Sequence, residues 1–365
     1  PPGAPAPVHL YEGTAGPTQL FILDHQDRPV VLFTADREGP HEKPVPDEMS
    51  MRLARCLDPE CTEVVESVLM TGPEWIEPVG LAATSDGKPI VTYSSVSFDE
   101  ETGPDDPPTE ETGLISCVDE ICSDTITVSR EGTRLRLRSD GLPVLVHEPD
   151  RRPRVISCVD PQCEESEESI ALGEGDGSLI AFELTSEDLP IMARRLWEEG
   201  PGHIEIIRCE IGNCGEWNST VVDLSEFAPE GAGQSVVAFD RDADPVIALV
   251  GATVGVATCG VTGCDDIVYN QIGHAQGGDG DSLTLTDDGR PVIAYRASDP
   301  SGEQWMIEVA VCDDPACSRG TVAQITDHGT IAHVVELDRA GNPVIGYTQW
   351  SKGTTSVYRC ADPRL

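Results

Sequence analysis

Six cysteine pairs in this chain share one spacing, C-x4-C: Cys56/Cys61, Cys117/Cys122, Cys158/Cys163, Cys209/Cys214, Cys259/Cys264 and Cys312/Cys317. Upstream of each lies the same phrase, an apolar stretch and then a proline that opens a Val/Ile-rich run. The anchoring prolines are Pro29, Pro89, Pro143, Pro190, Pro245, Pro291 and Pro343. A seventh copy is cut short at Cys360, and Leu365 stands where its partner cysteine would fall. The chain is therefore an internal repeat with a period of about 50 residues, and a repeat of that length constrains the fold more than any other feature.

The phrase reads as strands. In the sixth copy Leu283 and Leu285 alternate with polar residues, as in a half-buried strand. Asp288-Gly289 supplies the positive-φ chemistry of a tight hairpin turn, and Pro291 opens the next strand, where a missing N–H does least harm. A third strand runs into each first cysteine, and a turn that often contains Asp-Pro leads to a fourth. Each repeat is a four-stranded antiparallel meander, and seven in series predict an all-β, seven-bladed β-propeller. Closure is expected from a spare N-terminal strand, Val8–Gly13, which would complete blade seven. The other use of that strand is donation to a neighbouring copy, giving self-assembly into a head-to-tail fibre. Residues 1–7 read as a Pro/Ala-rich linker and residues 8–365 as one propeller domain.

Repeated cysteine pairs imply disulfides and an oxidising compartment, hence a secreted or cell-surface protein. Zinc is disfavoured because it needs four converging ligands and each pair sits on its own blade. Each bridge closes a short loop, worth about 2 kcal/mol in the chain-entropy model. Its expected role is to staple the outer strand, an otherwise exposed edge. Cys360 is expected to be unpaired, or else to form an intermolecular bridge. A net charge of −41 argues against nucleic acid or an anionic membrane as partner. The longest apolar run, Pro245–Thr258, is too short for a transmembrane segment and reads as two strands joined by a very tight turn.

Antiparallel connectivity sorts the loops into two faces. The first-to-second and third-to-fourth turns are short and uniform. The second-to-third loops, roughly Ala35–Ser50 and Ser95–Gly113 in the first two blades, vary, as do the connections between blades. Function is assigned to the variable face, because function concentrates on loops held by a rigid scaffold.

Candidate features there each have two readings. The acidic run Asp99–Glu111 is either a solvated loop or a site for cations or a basic partner. Asp176, Asp279 and Asp281, in Gly-rich blade connections, either serve turns or form a weak Ca2+ site, the one cofactor considered. Trp197, Trp305 and Trp350 either cap the layers between blades or grip a glycan or protein ligand. Basic residues concentrate in blade three, where Arg134, Arg136 and Arg138 alternate with Leu135 and Leu137 along one strand face. They either pair with acids of the adjoining blade or form an anion or carboxylate site.

No G-x-S-x-G, H-E-x-x-H or phosphate loop is present, so no catalytic residue is named. The phrases Asp86-Gly-Lys-Pro-Ile-Val-Thr-Tyr93 and Asp288-Gly-Arg-Pro-Val-Ile-Ala-Tyr295, each followed by C-x4-C, resemble a group of secreted bacterial propeller repeats. The resemblance covers nearly the whole chain and weakens in blades four and five. It implies a fold and an extracellular setting, and no activity. The sequence thus points to a secreted or surface-displayed binding or structural module. A propeller hydrolase or lyase acting on extracellular glycans is the main alternative, and a lectin the next.

Overall fold

A computed structural model of the protein describes residues 7–12, 15–36, 49–72, 75–97, 109–132, 134–173, 175–197, 202–227, 234–260, 263–274, 282–298, 305–325, 330–349 and 354–361. These residues form seven four-stranded antiparallel sheets arranged in chain order. Blade one is β2 (Ala15–Leu23), β3 (Pro29–Asp36), β4 (Met49–Cys56) and β5 (Val64–Gly72); blade two is β6 (Trp75–Ala83), β7 (Pro89–Ser97), β8 (Thr109–Cys117) and β9 (Thr125–Ser129). Blade three is β10 (Arg134–Leu137), β11 (Pro143–His147), β12 (Arg154–Cys158) and β13 (Ser166–Glu168); blade four is β14 (Gly177–Leu184), β15 (Pro190–Leu196), β16 (His203–Cys209) and β17 (Trp217–Asp223). Blade five is β18 (Gln234–Phe239), β19 (Pro245–Val250), β20 (Val254–Gly260) and β21 (Gly263–Gly273); blade six is β22 (Ser282–Leu285), β23 (Pro291–Ser298), β24 (Trp305–Cys312) and β25 (Gly320–Gln324). Blade seven combines β26 (Thr330–Leu337), β27 (Pro343–Gln349) and β28 (Thr354–Arg359) with β1 (Val8–Glu12) from the other end of the chain. The ring therefore closes within one chain, with Val8 opposite Val357 and Glu12 opposite Thr354. Among the described residues no helix is long and apolar enough to cross a membrane.

Local chemistry explains why each copy folds the same way. The residue five before each anchoring proline is Asp or Thr in every blade but the third, and its side chain closes the first hairpin. Thr286 Oγ1 accepts the Arg290 amide at 2.9 Å, and Asp24 Oδ1 accepts the Arg28 amide at 3.0 Å. Gly289 takes φ +79° in that turn, as Asp-Gly predicts. In the third-to-fourth turn, Asp58, Asp119, Asp160 and Asp314 each accept the amide four residues on. The second-to-third loops are shorter than the sequence implied, because β3 runs to Asp36 and β4 begins at Met49, while β7 runs to Ser97 and β8 begins at Thr109. The run Pro245–Thr258 is two strands, as expected.

The core lies between blades. Leu135, Leu145 and Cys158 of blade three pack on Ile90 and Leu114 of blade two, and equivalent clusters fill the other gaps around the ring. All six disulfides form as expected, with Cα atoms 4.4–4.9 Å apart. In blade five the bridge joins the third strand to the outer one as expected, because Cys264 lies within β21, but in the other five blades its role differs from that staple. The fourth strand of blade one starts only at Val64, three residues beyond Cys61. The sulfurs instead enter the apolar layer between blades, where Cys117 and Cys122 join Leu32, Met51 and Leu53. A buried disulfide there acts as core mass and fixes the turn, since Cys61, Cys122, Cys163, Cys214 and Cys317 all sit at φ 52–59°. Cys360 is buried and unpaired, in the layer between blades six and seven.

A second repeated device pins neighbours on the uniform face. The residue before the first cysteine reaches the first hairpin of the next blade: Arg55 donates to the Gly87 carbonyl (2.5 Å), Arg208 to Ala243 (3.0 Å) and Arg359 to Asp27 (2.8 Å).

Candidate functional site at the channel and its variable-face mouth

The seven innermost strands, β2, β6, β10, β14, β18, β22 and β26, enclose a central channel of about 1030 Å³. Alignment on the anchoring prolines gives its layers. Seven residues before the proline stand Ile22, Ala82, Arg136, Glu183, Ala238, Thr284 and Glu336; nine before it stand Leu20, Gly80, Arg134, Ala181, Val236, Ser282 and Val334. These two layers thus mix apolar residues with charges drawn from blades three, four and seven.

Arg136 and Glu183 make a two-pronged pair across adjoining blades, Nε to Oε2 at 2.7 Å and Nη2 to Oε1 at 2.5 Å. Burial works against the Arg136 charge, but Glu183 more than offsets it and holds Arg136 above its ordinary value. Glu336 shares this layer. Burial pushes its carboxyl up to about 7, Arg136 draws it down and Glu183 pushes it further up. One layer nearer the variable face, Arg134 is held below its ordinary value by burial and by the like charge of Arg136, against the attraction of Glu148. Arg195, from the end of β15, also lines the channel.

Beside the mouth, between blades three and four, lies a notch of about 310 Å³ lined by Glu148, Arg151, Gly177, Ser178 and Trp197. Trp197 is 58% exposed, and its backbone amide is fixed to the Asp176 carbonyl at 3.0 Å. Glu148 Oε1 accepts the Leu179 amide at 2.7 Å, which orients its carboxylate; burial raises its pKa against that bond and against Arg134. A single 3-10 turn, Pro149–Arg151, forms the blade-three wall. Trp75 at the start of β6 is 47% exposed on the same face, so exposed indoles flank blade three from blades two and four.

The residues singled out from the sequence separate into groups. Trp197 and Asp176 meet at the variable face between blades three and four, whereas Arg134 lines the neighbouring channel. Arg138 does not join them, because β10 descends to the uniform face, where Arg138 pairs with Asp140 and donates to the Cys158 carbonyl. Trp305 is half-buried under the Arg296 guanidinium, 4.3 Å from its ring centroid. Asp176 faces Arg151 at 3.5 Å, and the carbonyls of Leu172 and Gly175 in the same connection receive Arg194. Trp350, Asp279, Asp281 and most of the Asp99–Glu111 run lie outside the described residues. Among the described residues no three of His, Cys, Asp and Glu converge as a metal-holding group. Sequence reasoning missed Glu183, Glu336, Arg195 and Trp75. The signal for the first two was the shared offset of seven from the anchoring proline.

No protein-family model matches the chain, and no curated protein matches it in sequence. Among solved structures it is similar to the Cps50 (Swd1) β-propeller domain of Myceliophteria thermophila, with a TM-score of 0.53 at 8% identity over 97% of this chain and 99% of that one. It also aligns with the NanB sialidase of Streptococcus pneumoniae, with a TM-score of 0.48 at 9% identity over 98% of this chain and 70% of that one. At these identities the likeness to the Swd1 domain is one of fold.

Proposed function

We propose that the protein is a secreted or surface-displayed binding module that captures an extracellular glycan through its variable face. The observation that carries this reading is the notch between blades three and four. An exposed indole, Trp197, stands beside an oriented carboxylate, Glu148, with Arg151 and Ser178 completing the wall. A flat apolar face with convergent polar groups offers a sugar both stacking and hydrogen bonds. The disulfides fit an oxidising, extracellular setting. The test is a glycan array with wild type, Trp197→Ala and Glu148→Gln. Loss of binding at an unchanged melting temperature supports the reading. Loss caused instead by changes at Val159 or Ile211, on the uniform face, overturns it.

A second reading, a hydrolase or lyase acting on extracellular glycans, is favoured by one observation. Glu336 is a carboxyl poised near neutrality in a channel that also holds Glu183. A hydrolysis screen in which Glu336→Gln abolishes turnover would promote it above the binding module.

A further inference from the structure

Most described arginines of this acidic chain are ion-paired with a carboxylate, as Arg28, Arg52, Arg55, Arg154 and Arg290 illustrate. Arg134 and Arg195 belong to the minority that are not, and they are the members of it that line the channel. Neither side chain makes a hydrogen bond or ion pair to another described residue, although the chain holds 65 acidic residues. Both line the channel on its variable-face half, one from blade three and one from blade four. The Arg195 Nε is buried with no acceptor. Arg134 stands two residues from Arg136 on the same strand face, about 7 Å along the strand, so like charges are stacked along one wall. The one carboxylate hydrogen-bonded in that stack, Glu183, is already spent on Arg136. Glu148, which attracts Arg134 through space, is bonded to the Leu179 amide.

Arg195 is half-buried with a desolvated Nε that nothing on the chain satisfies, which costs stability, while Arg134 is exposed to the channel and open to an incoming ligand. A site that keeps two such guanidinium groups has the form of a receptor waiting for its counter-charge. We infer that the variable-face half of the channel binds a small organic carboxylate through Arg134 and Arg195. The guanidinium fork matches a carboxylate, and the apolar walls of Leu20, Val236, Leu283 and Val334 suit an organic body better than a hydrated inorganic ion. Long polyanions are disfavoured by the net charge of −41, which repels them before they reach the mouth. This site is separate from the Trp197 notch and does not rest on it.

The test is calorimetric titration at low salt of the intact protein with sodium glucuronate, sodium benzoate, sodium phosphate and neutral glucose. Both carboxylates, or one of them, should bind wild type, with phosphate and glucose far weaker. Preference for glucuronate identifies an acidic sugar as the source, and preference for benzoate another organic acid. Arg134→Gln with Arg195→Gln should weaken binding by roughly tenfold per arginine. Arg134→Lys with Arg195→Lys should recover part of it, and Trp197→Ala should leave it unchanged. Because the arginines have no partners to lose, the Gln variant should melt no lower than wild type. Phosphate bound as tightly as the carboxylates, unchanged affinity in the Gln variant, a Gln variant that unfolds, or no heat from either carboxylate would each overturn the inference.

Discussion

Arg194 and Glu205 sit directly opposite one another on neighbouring strands of blade four, 3.2 Å apart, and both are sealed from solvent. The pair is built into the wall between blades three and four. Arg194 also donates to the carbonyls of Leu172 (3.3 Å) and Gly175 (2.7 Å), so it anchors the connection that leads into β14. Gly173 explains why that connection is glycine-rich. Its φ is +76°, and a Cβ there would lie 2.6 Å from the Arg194 guanidinium and 2.7 Å from the Glu205 carboxylate. A motif that resembled a cation loop in sequence houses a guanidinium in the fold.

A buried pair of this kind is costly to break and much less costly to replace. Arg194→Ala leaves the Glu205 carboxylate uncompensated and should destabilise by about 3–5 kcal/mol. Arg194→Met combined with Glu205→Leu should recover most of that loss. Urea denaturation of the single and double variants measures both. Equal destabilisation by the two would show that the carbonyl anchor, and not the stranded charge, carries the effect.

Glu336 makes stability depend on pH in a defined direction. Its carboxyl is pushed from an ordinary 4.5 up to about 7, so between these values the folded protein holds more protons than the unfolded chain. This group therefore contributes a loss of stability as pH rises through that window, complete above about 7 and absent below about 4.5. Glu336→Gln should stabilise the protein by about 1–3 kcal/mol above pH 7, with the gain vanishing at acid pH. Melts of both proteins across this range check it, and a constant difference at every pH would refute the assignment. The channel groups around Glu336 are Arg136 and Glu183, with Arg134 and Arg195 towards the variable face and Asp24 and His25 at the other end. Neutralising Glu336 leaves those arginines less opposed, so carboxylate binding should tighten from pH 8 to pH 6.

The six disulfides should not open together. Five have both cysteines buried in the layers between blades, whereas Cys259 and Cys264 are half-buried. Limited reduction followed by alkylation and peptide mapping should find Cys259 and Cys264 labelled first. Cys360 should stay unlabelled while the protein is folded. Burial, and after it Asp338, pushes its thiol up to about 12, so the reactive thiolate is scarce at neutral pH. Rapid labelling of native Cys360 would contradict its burial.

The division between what could and could not be read in the sequence follows the range of the interactions. Strand alternation, Asp-Gly turns and C-x4-C are local, and they repeat, so the blades, their order, the six disulfides and the β1 closure were all legible. The site was legible in part. Trp197 and Arg134 were picked out as residue types unusual for the chain. Glu183 and Glu336 were hidden among abundant carboxylates until the blades were superposed on their prolines. Arg194 and Glu205 were illegible because one lies in a Val/Ile-type run and the other in its neighbour. Only the cross-strand register of β15 and β16 brings them together. The place of the disulfides outside blade five was misread for a related reason. The spacing specifies a turn, but which side of the sheet the sulfurs enter depends on the neighbouring blade.

The ring is held shut by β1, and removing it should have two separable effects. Leu10 is buried with Phe21, Phe33 and Val357, so β1 bridges blades seven and one as well as pairing with β28. Its loss exposes apolar surface from that layer and leaves the backbone groups of β28 unpaired on an outer edge, which invites pairing with other chains. Deletion of residues 1–12 should therefore lower the melting temperature and promote aggregation. A synthetic peptide spanning residues 7–14 should bind the truncated protein and restore a soluble monomer, as measured by melting and size-exclusion chromatography. Leu10→Asp in that peptide should abolish the rescue, because register alone cannot replace the side chain that fills the layer. A truncated protein that melts like the full chain and remains monomeric would show that β28 tolerates an open edge. Blade seven would then be stable with three strands.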